Sequence, residues 1–198
     1  MQKENLTLYF VTGNKSKFNE VLKIFQTQKL EFTIQQLNIE TVEIQADNIK
    51  DVALFKLNSV KEKIKGSFFI EDAGFFVDLP LNGFPGVYSS YVMKTIGNEG
   101  ILDLIHDFNN TKAHFSAVIA LYYEPLNEIY TFEGEVIGKV SQAIRGNHGF
   151  GFDPIFIPDE FPENTFAELT MSEKNSISHR SKALNKLILF LKENPIKK

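Results

Sequence analysis

The run "LTLYFVTGNKSKFNEVLKIF", Leu6 to Phe25, decides the fold class. Its first six residues form a continuous apolar stretch that stops at Thr12 and Gly13, which is how a buried strand reads. The period then changes. Phe18, Val21, Leu22 and Phe25 share one face of a 3.6-residue repeat, so a helix begins near Lys15 to Lys17. A strand that turns straight into a helix opens an α/β unit. Working outward, "EFTIQQLNI" reads as a second strand, "ADNIKDVALFKLNSVKEKI" as a helix and "SFFIED" as a short apolar strand ending in two acids. The Pro/Gly-punctuated "DLPLNGFPGVYSS" is a loop, followed by a helix through "GILDLIHDF". "HFSAVIALYYEP" and "EIYTFEGEVIGKVS" form a strand pair joined around Pro125 and Asn127. The Gly-rich "RGNHGFGFDPIFIP" lacks a regular pattern. The last helix, "ALNKLILFLKENP", puts Ala183, Leu184, Leu187, Ile188 and Leu191 on one stripe. The mixture predicts α/β with a mixed sheet, and any lobes would be noncontiguous in sequence.

At 198 residues the chain can bury a sizeable core as one domain or two joined lobes. It has no cysteine, which removes disulfides, thiolate metal sites and a cysteine nucleophile. No apolar run approaches membrane-spanning length, and the N-terminus moves directly into a strand, so the expectation is a soluble cytoplasmic protein without a membrane role. A formal net charge of −4 argues against a nucleic-acid partner, since such affinity comes from neutralising many phosphates. A small phosphorylated ligand stays open.

Four stretches carry chemistry. In "VTGNKSK" a strand delivers Gly13 to a tight turn, free N–H groups of the next helix point at it, and Lys17 can swing over it, which suits a phosphate. The spacing of a P-loop is absent, and an ordinary strand-to-helix connection with a surface lysine accounts for the same residues. In "FFIEDAG", Glu71 and Asp72 end a strand. Two neighbouring carboxylates cannot both be desolvated without counter-charge, so a divalent cation or a lysine is expected beside them. Adjacent strand side chains point to opposite faces, which sends one of the two, Asp72, into a site. Oxygen-only ligands suit Mg²⁺. A pair of solvated acids is the plain alternative. In "HGFGFDP", Gly149 and Gly151 let the backbone bend around a flat group, Phe150 and Phe152 offer stacking faces, and Asp153 can accept from a ring N–H. Here the alternative is a loop tucking at least one Phe into the core. Finally, "SEKNSISHRSKAL" crowds Lys174, His179 and Arg180 around a helix start whose N-cap is Ser178. Cations at that end oppose the helix dipole. Either an anion sits there, or the start is solvated and its basic residues pair with carboxylates.

Side by side, "TGNKSK", "VEIQ", "EDAGFFVD", "NGFPGVYSS", "GFGFDPIF" and "SEKNSISHRSKAL" run in one order across nearly the whole chain, and the sequence resembles the inosine triphosphate pyrophosphatase family. The resemblance implies a single pyrophosphatase domain over residues 1–198, with a long mixed β-sheet and flanking helices forming two lobes around a deep nucleotide-binding cleft. It implies a homodimer, Mg²⁺, and cleavage of ITP, dITP and XTP to the nucleoside monophosphate and pyrophosphate. By the same resemblance Thr12, Gly13, Asn14 and Lys17 are the triphosphate cradle, and Glu43 in "VEIQ" is a metal carboxylate. Asp72 is both metal contact and proton acceptor, with Lys17 assisting catalysis. Lys56, Ala73, Phe150, Gly151, Phe152, Asp153, Lys174, His179 and Arg180 are the remaining substrate positions. The chain departs from the family at three of its positions. Phe152 stands where many members have Trp or Tyr, Ala73 where a hydroxyl residue often follows the acidic pair, and Ser90 where some bacterial members have Arg. These bear on substrate preference and leave the proposed metal and acid groups untouched. A pyrophosphatase for modified pyrimidine triphosphates and a noncatalytic nucleotide sensor are the rival expectations.

Overall fold

The computed structural model describes residues 6–28 and 32–195; Glu31, which opens the predicted second strand, and the first five residues lie outside them. The chain is a mixed α/β protein with one seven-stranded sheet and six α-helices among the described residues. The strands are β1 (Leu6–Val11), β2 (Phe32–Leu37), β3 (Phe68–Leu79), β4 (Phe84–Gly86), β5 (Lys112–Tyr123), β6 (Glu128–Val140) and β7 (Phe156–Pro158). The helices are α1 (Lys15–Gln26), α2 (Ile49–Val60), α3 (Ser89–Thr95), α4 (Gly97–Ile105), α5 (Met171–Ile177) and α6 (His179–Glu193). The sheet order is β2-β1-β3-β5-β6-β7, with β4 paired to β3. β1 runs parallel to both β2 and β3, whereas β4 and β7 are antiparallel additions on β3 and β6.

Two compact units divide the chain. The first holds residues 1–72, 118–133 and 183–198, and the second 73–117 and 134–182. The division is noncontiguous, and β3 passes from one unit to the next between Asp72 and Ala73. This differs from the predicted short strand, because Glu71 and Asp72 lie inside a twelve-residue β3 that continues through "AGFFVDL". Polar residues end a strand only when nothing meets them, and here each acid finds a lysine.

In the first unit Leu8 and Phe10 of β1, Phe68 and Phe69 of β3, and Ala53 and Leu57 of α2 are fully buried, with Phe10 stacked on Phe69 at 4.6 Å. The predicted α6 stripe lies inside this core, and each of Leu184, Leu187, Ile188 and Leu191 contributes about 1.5 to 3 kcal/mol of burial. α1 turns slightly from its predicted face: Glu20, Val21, Ile24 and Phe25 are buried, while Phe18 and Leu22 are half-buried. The second unit packs Phe75, Phe115, Phe152, Phe156 and Phe166 with Val92, Ile101 and Val136. No helix among the described residues is long and apolar enough to cross a membrane.

Candidate active site

In the first unit the β1–α1 turn is built by short local bonds. Asn14 caps α1 through its Oδ1, which accepts from the Lys17 N–H at 3.1 Å, and Thr12 Oγ1 accepts from the Asn14 N–H at 3.1 Å. β2 fixes the turn from outside, since Leu37 O accepts from the Thr12 N–H and Gln36 Nε2 donates to Thr12 O at 2.9 Å. Gly13 leaves room for a close approach, since a Cβ there would lie a tight 3.1 Å from Asn38 Oδ1. The first turn of α1 carries no acidic residue, and the helix dipole there favours an anion.

β3 then supplies the two carboxylates, and each takes a lysine from a different helix. Lys17 of α1 meets Glu71 Oε2 at 2.7 Å, the Glu71 side chain being completely shielded from solvent. Lys56 of α2 meets Glu43 Oε1 at 2.7 Å and Asp72 Oδ2 at 3.3 Å. The segment carrying Glu43 is tied to α2 through Ser59, whose Oγ accepts from the Val42 N–H and donates to Lys56 O. Burial works against the charge of Lys56, but Asp72 and Glu43 together outweigh it and raise its pKa above the ordinary 10.5. The lysine counter-charges anticipated for the acidic pair are therefore both present. The two adjacent acids turn to different partners, Glu71 to Lys17 and Asp72 to Lys56.

Glu43 and Asp72 are oxygen-only donors converging on one cation. Mg²⁺ is commonly held by one or two carboxylates with the rest of its shell given to phosphate oxygens and water, so this donor set fits it. Among the described residues no group of three or more His, Asp or Glu is placed to hold an ion by protein ligands alone.

In the second unit the Gly/Phe loop and the basic helix start meet. Gly149 and Gly151 have φ of +75° and +64°. A Cβ on Gly149 would strike Asp153 Oδ2 at 2.1 Å, so that position admits only glycine. Asp153 Oδ2 accepts from the Phe150 N–H at 2.7 Å and from Lys174 Nζ at 2.7 Å. Phe152 packs into the core, stacked on Phe75 at 5.0 Å, whereas Phe150 stays half-buried. The plain alternative, one Phe turned inward, describes Phe152, and Phe150 is the ring with open access.

The basic residues are not solvated. Lys174, His179 and Arg180 are only 4%, 3% and 2% exposed. Ser178 caps α6, its Oγ accepting from the Ser181 N–H at 3.2 Å. Lys174 Nζ and Arg180 Cζ lie 5.1 and 5.5 Å from the Phe150 ring centre, a cation–π arrangement, and His179 stacks on Phe115 at 4.8 Å. α5, which carries Lys174, was missed by the sequence reading. Its signal is the capping box Thr170 to Glu173, in which Thr170 Oγ1 accepts from the Glu173 N–H and Glu173 accepts from the Thr170 N–H. Asn98 of α4 is another residue that periodicity does not reveal; its Nδ2 donates to Gly151 O at 3.2 Å. Ala73, the first residue of the second unit on β3, is half-buried.

Thus the first unit gathers Thr12, Gly13, Asn14, Lys17, Glu43, Lys56 and Asp72, and the second gathers Phe150, Gly151, Asp153, Lys174, His179 and Arg180. The first group joins an acid-free helix start to carboxylates held by lysines, and the second sets an aromatic ring beside buried cations and a carboxylate.

The family model described as the Ham1 family matches residues 8–190. A dITP/XTP pyrophosphatase of Thermococcus kodakarensis is 48% identical over 189 residues, covering 96% of this chain and 99% of the relative. Another of the same name, from Pyrococcus horikoshii, is 46% identical, covering 96% and 98%. Among solved structures, a HAM1 protein from Coxiella burnetii superimposes with a TM-score of 0.82 at 27% identity, covering 96% of this chain and all of that one. The Ham1 protein of Staphylococcus aureus gives 0.80 at 26% identity, over 94% and 98%.

Proposed function

The chain belongs to the Ham1 family, and from that premise we propose that it hydrolyses the noncanonical purine nucleoside triphosphates ITP, dITP and XTP to the monophosphate and pyrophosphate, with Mg²⁺. The observation that carries the reading is the pair of consecutive carboxylates on β3, each held by a lysine from a separate helix, beside an acid-free helix start. Such an arrangement suits a polyphosphate and its counter-ion.

In this reading the triphosphate is bound by the Thr12 to Lys17 turn. A water oxygen forms a bond to the α-phosphorus while the bond from that phosphorus to the bridging oxygen breaks, and pyrophosphate leaves. Asp72 accepts the proton of the attacking water. Lys17 balances charge that grows on the departing phosphates, a role for a fixed cation in a transition state dominated by electrostatics and positioning. Glu43 and Asp72 would hold Mg²⁺, which would supply further neutralisation of phosphate charge. Lys56 holds those two carboxylates at one point, so their geometry exists before substrate arrives.

The base end of the nucleotide is assigned to Phe150, Gly151, Asp153, Lys174, His179 and Arg180. Donors set for a 6-oxo group are left unpaired by the 6-amino group of adenine, and such mismatches discriminate strongly. A homodimer in the cytoplasm belongs to the same proposal and rests on family resemblance; light scattering on the purified protein tests the oligomer.

The decisive experiment incubates the protein with Mg²⁺ and ITP, XTP, GTP or ATP in turn and resolves the products by chromatography. Monophosphate and pyrophosphate from ITP and XTP, with ATP and GTP largely intact, is the expected result. Diphosphate and orthophosphate would place the phosphate chain in another register, and no product would leave a nucleotide sensor in its place.

A further inference from the structure

We infer that Asn98 is a positioning residue for base recognition: by holding the carbonyl of Gly151 it aims the N–H of Phe152 as a hydrogen-bond donor toward the bound base. The inference rests on the proposed nucleotide reading and deepens it. Asn98 sits in the first turn of α4 and is 9% exposed, with its Nδ2 3.2 Å from Gly151 O. The bond crosses 53 residues of sequence, so it is a tertiary tie on the loop and not local capping.

Three observations say what the tie does. First, the Gly151–Phe152 peptide is trans, because the cis bonds among the described residues are at Pro80 and Pro85. In a trans peptide C=O and N–H point in opposite directions, so drawing the oxygen toward α4 sends the Phe152 N–H away from it. Second, that N–H donates no hydrogen bond among the described residues, although the neighbouring N–H groups of Phe150 and Asp153 both do, to Asp153 Oδ2 and Phe150 O. Third, Gly151 has φ +64° and nothing within 4 Å of where its Cβ would be, so its own packing does not fix the peptide plane. Glycine there gives the plane freedom, and Asn98 removes it.

The residue itself is not one that stability selects. Asn98 Oδ1 is buried and accepts no hydrogen bond among the described residues, an arrangement that costs the fold. Phe152 is only 3% exposed and anchors its ring on Phe75, so its N–H is a buried donor that no protein acceptor meets among the described residues. A backbone donor reads an oxo group whichever aromatic side chain stands at this position, so Phe152 serves as well as the Trp or Tyr of other members.

The test compares the wild-type protein with Asn98→Ala and with Asn98→Asp, which keeps the shape and loses the donor. KM and kcat for ITP and ATP are measured with Mg²⁺, together with thermal midpoints. The inference expects KM for ITP to rise about tenfold in both variants, the loss of one well-aimed hydrogen bond. It also expects kcat to be nearly unchanged, a smaller ratio of ITP to ATP efficiency, and a midpoint equal to or above wild type for Asn98→Ala. Unchanged KM and unchanged discrimination would overturn it, as would a fall in kcat alone. If the wild type leaves ITP intact, the catalytic reading fails separately, and equilibrium binding of inosine monophosphate decides this one: about tenfold weaker binding in the variants sustains it, and equal or absent binding ends it.

Discussion

Replacing Lys174 by methionine keeps the length of the side chain and deletes the ammonium that Asp153 faces at 2.7 Å. Both residues are buried, so the change leaves a carboxylate inside the protein without that counter-charge. Breaking a buried pair from one side costs about 3 to 5 kcal/mol, and the Phe150 N–H that Asp153 retains at 2.7 Å favours the lower end. For a chain of this size each kcal/mol moves the midpoint by about 2 to 4 °C, so a fall of roughly 6 to 20 °C is expected in a thermal melt. The double variant Lys174→Met with Asp153→Leu removes both charges. It gives up the bond to the Phe150 N–H, about 1 kcal/mol, but no longer buries a carboxylate that has lost the Lys174 ammonium. It is therefore expected to be more stable than Lys174→Met alone, with an interaction energy of at least about 1 kcal/mol in the cycle. Denaturant melts of wild type, both single variants and the double variant measure it. Additive costs, or a single-variant penalty below about 1 kcal/mol, would show that the contact contributes little and that the loop is held by its glycines and backbone bonds.

Asp72→Asn is expected to lower kcat for ITP by about a hundredfold or more with a modest change in nucleotide binding, read by single-turnover kinetics and calorimetry; near-normal turnover removes Asp72 from the proton-accepting role. Gly138→Ala on β6 puts a Cβ 2.1 Å from the Ile157 carbonyl oxygen of β7 and should destabilise by about 1 to 3 kcal/mol in urea, whereas a neutral result would mean that the edge pairing yields without cost. Glu173 is held below its ordinary pKa of 4.5 by hydrogen bonds from the side chain and then the backbone of Thr170. A depressed carboxylate stabilises the fold above pH 4.5 and loses that contribution as pH falls through its folded pKa. The gap in thermal midpoint between wild type and Glu173→Gln should therefore be open at neutral pH and close as the pH falls below 4.5 through the lowered folded pKa, and a gap independent of pH would separate the cap from its charge.

Much of this was readable from the chain because it is encoded locally. The period change at Gly13 placed β1 and α1, the stripe from Ala183 to Leu191 placed α6, and the adjacent acids announced counter-charges. What escaped depends on distance. That β3 continues past Asp72 follows from Lys17, 54 residues before Glu71, and from Lys56, 16 residues before Asp72. The basic helix start reads as solvated until Asp153 and the Phe150 and Phe115 rings are brought to it, which no periodicity reports. α3 and α5 have seven residues each, two turns, too few for a hydrophobic repeat to register. In the Gly/Phe loop, sequence offered two equivalent rings, and only packing against Phe75 decided that Phe152 is the inward one.

α6 begins with His179 and Arg180 in the second unit and, from Ala183 onward, belongs to the first. Fifteen residues near the end of the chain thus carry both buried cations and a core stripe. A product of premature termination before this helix loses the α6 stripe of the first unit's core together with those cations. Such a product is expected to fall to proteolysis rather than persist as a folded protein that sequesters nucleotides without cleaving them, so damage to the 3′ part of the coding sequence should act as a clean loss.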